Sequence, residues 1–245
     1  MRIEEYPRNL EILVHQHLSK YLDAGSKELL IERARALRSF FQKKKKKGPV
    51  KWSFVIPRDS PLTFKINDVD AKKLQVDISC KIEGQNETIH TQNVLLRIWS
   101  WDKDLSFREG MDADHLRVLL EKVAWKRVIL RFHFDLKDPK TKSEPLYHLH
   151  IGGDPVEDEH CWFPNQVKVP RFPFPPMDII LLSEFILVNF FNKESEQLRT
   201  KPEWESLVRK SQNFFQKEYF ENCTQCVNRQ SSTLLGNLIK AVNEA

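Results

Sequence analysis

The sequence predicts an α+β protein: a central antiparallel sheet, a meander plus a hairpin, with N-terminal helices and C-terminal helices packed on it. Three observations predict it. Apolar residues recur at helical spacing up to residue 42 and again after residue 176, and alternate one by one in the strand-like stretches between those limits. The strand-like stretches follow one another through short polar connections, which suits antiparallel neighbours. Helices and strands come in blocks rather than in βαβ alternation. The chain divides on this reading into a helical arm over 1–48, a sheet core with a buried helix over 49–192, and C-terminal helices over 193–245.

Residues 8–42 carry Leu10, Leu13, Val14, His17, Leu18, Tyr21 and Leu22 on one stripe. Asp23 to Ser26 interrupts them, and Ser26 is expected to cap a second helix whose inner face is Leu29, Leu30, Ala34, Leu37, Phe40 and Phe41. Five lysines, Lys43, Lys44, Lys45, Lys46 and Lys47, end that helix where positive charge suits the dipole, and Gly48-Pro49 stops it. Trp52, Phe54 and Ile56 alternate until Pro57 and Pro61 break the run. Leu74, Val76, Ile78, Cys80 and Ile82 then alternate with polar residues, a turn falls at Gly84-Gln85-Asn86, and a second strand runs from about Ile89 to Trp99.

A short helix is expected over 112–126, then strands at 127–136 and 146–152. The helix near 176–191 is apolar on nearly every side, with Asp178 in its first turn, so it is expected to be buried. Thr200-Lys-Pro-Glu203 has the form of a capping box opening the next helix, with Trp204, Leu207, Val208, Ser211, Phe214 and Phe215 on one stripe. A last amphipathic helix carries Leu234, Leu235, Leu238, Ile239 and Val242.

Composition narrows the function classes. With 7 Gly among 245 residues, and neither a Walker A loop nor G-x-G-x-x-G, a glycine-rich phosphate cradle is not expected. The net charge of +5 equals the contribution of the lysine run, so the basicity is local. Four cysteines in a chain of this length do not make a disulfide framework, and M-R-I-E-E-Y-P has no apolar signal core. The apolar stretch 179–191 is too short to span a bilayer. These readings lead to an expectation of a cytoplasmic protein without a membrane partner.

Potentially reactive groups concentrate at 128–151. Arg131, His133 and Asp135 share one face of their strand, and His148 and His150 share one face of the next. A connection of about nine residues, 137–145, lets the two pair as a hairpin. If the polar faces coincide, these five residues line one surface as a catalytic candidate. They could bind a divalent metal or supply acid–base pairs without one. The plain alternative is the polar face of an antiparallel sheet, with His133 and Asp135 hydrogen-bonding across strands. The motifs H-E-x-x-H and paired H-x-[ST] are absent.

The remaining motifs are weaker. His160-Cys161 sits in an acidic-then-aromatic loop, and adjacent side chains seldom point the same way. The stretch 169–178 alternates proline with aromatic residues and reads as a stiff connector that packs Phe172 and Phe174 inward. Cys223-Thr-Gln-Cys226 is a lone C-x-x-C, expected after a helix ending near Phe220 and read as structural. Since no catalytic signature is complete, the leading expectation is a non-enzymatic binding or accessory module of a larger protein assembly, needing no cofactor and docking a protein partner. One alternative is a phosphate-directed hydrolase, nuclease-like in substrate, using the His/Asp cluster. Another is a nucleic-acid-binding factor using Lys43 to Lys47.

Overall fold

A computed structural model of the chain describes residues 1–44, 48–66, 73–101, 126–136, 147–152 and 172–228. The helix expected at 112–126, the loop with His160 and Cys161, the terminal helix with Leu234, and Lys45, Lys46 and Lys47 lie outside the described residues.

The N-terminal arm is helix α1 (Tyr6–Ile12), continued as a π-helical stretch over Leu13–Leu18, then α2 (Ala24–Lys44). The cap of α2 is Asp23 rather than Ser26. The Asp23 carboxylate accepts the Ser26 N–H at 2.7 Å, which frees the Ser26 hydroxyl to accept the Thr63 N–H at 2.7 Å.

Seven antiparallel strands follow: β1 (Lys51–Ile56), β2 (Leu62–Ile66), β3 (Lys73–Gln85), β4 (Thr88–Trp101), β5 (Lys126–Leu136), β6 (Tyr147–Ile151) and β7 (Phe172–Pro173). They form one sheet in the order β1-β3-β4-β5-β6-β7. β2 pairs with β3 beside β1, so β1 and β2 run along the same edge of β3. The sequence reading lacked β2, although Leu62, Phe64 and Ile66 alternate and are buried.

Among the described residues the C-terminal helices are α3 (Ile179–Phe190), α4 (Asn192–Arg199), α5 (Pro202–Phe215) and α6 (Lys217–Asn228). The sheet is antiparallel with helices before and after it, so the chain has an α+β fold. Among the described residues no helix is long and apolar enough to cross a membrane.

One sheet face carries the core. Trp52, Phe54 and Ile56 of β1, Val76, Ile78 and Ile82 of β3, Val94, Leu96 and Ile98 of β4, and Phe134 of β5 pack with Tyr6, Leu10, Leu30, Leu182, Ile186, Trp204 and Phe215 of the helices. The apolar helix expected at 176–191 is α3, with Ile179 to Ser183, Ile186 and Leu187 all buried. Asp178 is its N-cap rather than a first-turn residue, because its carboxylate accepts the Leu181 N–H at 2.9 Å. The capping box at 200–203 does not form. Thr200 closes α4, its hydroxyl donates to the Gln197 carbonyl, and α5 starts at Pro202 after an extended Lys201. Proline at the first helical position supplies a preset φ there. The C-x-x-C sequence lies inside α6 rather than after it, since the helix runs on to Asn228.

Candidate functional site

The opposite sheet face carries the polar residues. Strand alternation puts Asp77 and Ser79 of β3, Asn93 and Arg97 of β4, Arg131, His133 and Asp135 of β5, and His148 and His150 of β6 on it. The register then aligns them in rungs. Asp77 stands opposite Arg97, and Arg97 opposite Arg131. His133 stands opposite His150, and Asp135 opposite both Asn93 and His148. The hairpin of β5 and β6 thus brings all five residues of the sequence-derived cluster onto one face.

Asp135 is the hub. Its Oδ2 is hydrogen-bonded to His150 Nε2 at 3.0 Å and lies 3.8 Å from His148 Nε2. Its Oδ1 accepts from the Asn93 amide at 3.0 Å and lies 3.3 Å from His133 Nε2. That last contact is close enough for an ion pair but too poorly aligned for a hydrogen bond, so His133 Nε2 has no hydrogen-bond partner among the described residues. The His133 and His150 rings lie 4.6 Å apart, and those of His148 and His150 5.3 Å. His148 is buried, whereas the side chains of His133 and His150 keep 21% and 16% of their surface in solvent.

The electrostatics separate the partners. Burial pushes His133 down to about 4; Asp135 pulls the other way, while His150, Arg58 and Arg131 add to the depression. Burial alone would raise the Asp135 carboxyl. The His150 hydrogen bond and the three imidazoles outweigh it, and the group sits below its ordinary value. At neutral pH the cluster therefore holds an ionised carboxylate beside a neutral His133.

Arg131 is in the cluster by position but has a different job. It is buried, and its Nε donates to the Gly152 carbonyl at 3.0 Å, while the Gly152 N–H returns to the Arg131 carbonyl at 2.8 Å. This pair of bonds ties the end of β6 to β5. Two residues near the histidines, Asn93 and Arg58, lie outside the cluster drawn from the sequence. Asn93 had a usable signal, an outward position on the expected strand 89–99. Arg58 had none, because it sits in the β1–β2 connection, where periodicity says nothing.

His133, Asp135 and His150 each offer one ligand atom, and the three atoms lie within 4.8 Å of one another. The described part of the lysine run, Lys43 and Lys44, is not among these residues. Lys43 is exposed near the end of α2, and Lys44 is its last residue. No protein-family model, curated protein or solved structure matches the chain.

Proposed function

We propose that the polar sheet face is a divalent-metal site serving hydrolysis of a phosphate-containing substrate. The observation that carries the reading is the convergence of two imidazole nitrogens and a carboxylate oxygen within 4.8 Å. Ligand atoms at ordinary zinc distances on a tetrahedron stand about 3.3 Å apart. Oδ2 of Asp135 stands 3.0 Å from His150 Nε2 and Oδ1 stands 3.3 Å from His133 Nε2, so small shifts would bring one oxygen and both nitrogens to such spacing. Three protein ligands leave one position for water, the arrangement of catalytic rather than structural zinc. A bound metal would supply the Lewis acidity that makes water a nucleophile near neutral pH. The chain's own residues hold and orient the ligands: Asn93 fixes one carboxylate oxygen, and the Arg131–Gly152 pair fixes the hairpin. Arg58 and Arg131 bring positive charge to His133, which supports an anionic substrate.

The test is titration of the purified protein with zinc and cobalt, with hydrolysis of bis(p-nitrophenyl) phosphate measured on the same samples. The parent should take up one equivalent, and cobalt should show tetrahedral absorption. His133→Ala and His150→Ala should each weaken binding by at least about tenfold, the lower end of what loss of a metal-orienting group costs. Equal binding by the parent and the double variant would remove the site. Stoichiometric binding without hydrolysis would keep the metal and remove the hydrolase.

The accessory-module reading is a second proposal, favoured by a separate surface on the far edge of the sheet.

A further inference from the structure

That edge is treated differently along its two halves. At β2 it is covered: the Asp23 N–H donates to the Thr63 carbonyl, the Lys65 N–H to the Tyr21 carbonyl, and the Thr63 N–H to the Ser26 hydroxyl. At β1 it is open. The Asn86 N–H donates to the Val50 carbonyl at 2.9 Å and the Val50 N–H to the Asn86 side chain at 2.9 Å, so both backbone groups of residue 50 face the β3 side, as in a hydrogen-bonded position. Such positions alternate along an antiparallel ladder. The bonded pairs of β1 are therefore Trp52 with Gly84, Phe54 with Ile82 and Ile56 with Cys80. The backbone groups of Lys51, Ser53 and Val55 point away from β3, and among the described residues no strand pairs with them.

Natural sheets usually hide such an edge. Here α2 runs beside it and leaves a groove of about 540 Å³, with Arg33, Ala36 and Phe40 on one wall and Lys51, Ser53 and Val55 on the other. The floor is apolar, from Trp52, Phe54 and Leu37. The charge is one-sided. Arg33 Nε is buried without a hydrogen-bond partner, and Lys51 is exposed with no ion pair among the described residues. The acidic residue of the groove, Glu83, is already engaged by Lys81 at 3.1 Å and Thr91 at 3.0 Å. Lys43 follows Phe40 three residues later on the same helix face, adding positive charge at that end.

We infer that the groove between α2 and β1 binds an extended acidic peptide of another protein, which adds to the sheet as a strand on the open edge of β1. The backbone of Lys51, Ser53 and Val55 supplies the main-chain bonds, the apolar floor takes alternate side chains, and Arg33 and Lys51 select for acid. The inference does not depend on the metal site.

A random nonapeptide library displayed on phage and panned on the full chain tests it. Enriched peptides should alternate apolar residues with Asp or Glu. Synthetic copies N-methylated at every second amide should bind at least about tenfold more weakly, the equivalent of one or two backbone hydrogen bonds. Ser53→Pro should have the same effect without disturbing the ladder, because that N–H faces away from β3. Arg33→Glu, which touches no backbone, should also weaken acidic peptides about tenfold. Absence of any enrichment overturns the inference. So does N-methylated peptide binding as tightly as its parent, or undiminished binding to the folded Arg33→Glu variant.

Discussion

Asp178→Ala should destabilise the protein by about 2–4 kcal/mol, and Asp178→Asn should not. Asp178 is fully buried beneath α3. One oxygen, Oδ1, serves two donors: the Leu181 N–H at 2.9 Å and the Ser211 hydroxyl at 2.7 Å. Alanine removes an N-cap, which costs about 0.5–2 kcal/mol. It also strands a buried hydroxyl, which costs about 1–3 kcal/mol. Asparagine keeps that oxygen. Its amide would replace the second oxygen, which lies beside the buried Tyr6 hydroxyl, and would offer that hydroxyl a donor in its place. Burial raises the Asp178 carboxyl above its ordinary value, outweighing the Leu181 and Ser211 bonds that lower it. A carboxyl raised in the folded state contributes stability below the unfolded pKa of about 3.9 and loses it as pH rises through the folded value. Asparagine cannot ionise, so its advantage over the parent should grow with pH. Urea midpoints of the parent and both variants from pH 4 to 8 measure this. A flat difference between Asp178→Asn and the parent, or an asparagine variant as unstable as the alanine one, would refute the reasoning.

Other expectations concern the core, the first hairpin and the lysines. Leu182→Ala should cost about 2–5 kcal/mol, since the residue is fully buried in the main core. Phe185→Ala should cost less, being half-buried against Phe132; unchanged urea midpoints in both would show α3 to be a surface helix. Gly84→Ala should cost about 1–3 kcal/mol, because a Cβ would stand 2.4 Å from the Thr88 carbonyl and 2.5 Å from the Trp52 ring. A thermal midpoint equal to the parent's would contradict that packing. Changing Lys43 to Lys47 to Gln should weaken binding to a generic DNA duplex and flatten its salt dependence while the fold survives. Tight, specific binding by the parent at high salt, abolished in the variant, would instead make the chain a nucleic-acid recogniser.

Alternation is a local steric property, and it was enough to read five of the strands and the face of each polar residue. That His133 and Asp135 share a side of β5, and His148 and His150 a side of β6, is written in spacing alone. The helical stripes of α2, α3 and α5 were legible for the same reason. Caps were not. Asp23, Asp178 and Lys201 took positions that the local patterns assigned elsewhere, because several polar residues compete near each helix start and tertiary partners such as Thr63 and Ser211 decide among them. Register was not legible either. Setting His133 opposite His150 and Asp135 opposite His148 closes the cluster to hydrogen-bond distance, and the summed packing of the core face selects it, since a one-residue slip would turn every apolar side chain to the wrong side. The open edge of β1 is the furthest from sequence. Among the described residues the Tyr21–Ser26 segment bonds to the backbone of β2, whereas α2 lies beside β1 without bonding to its outer backbone, a placement of segments tens of residues apart that no local period encodes.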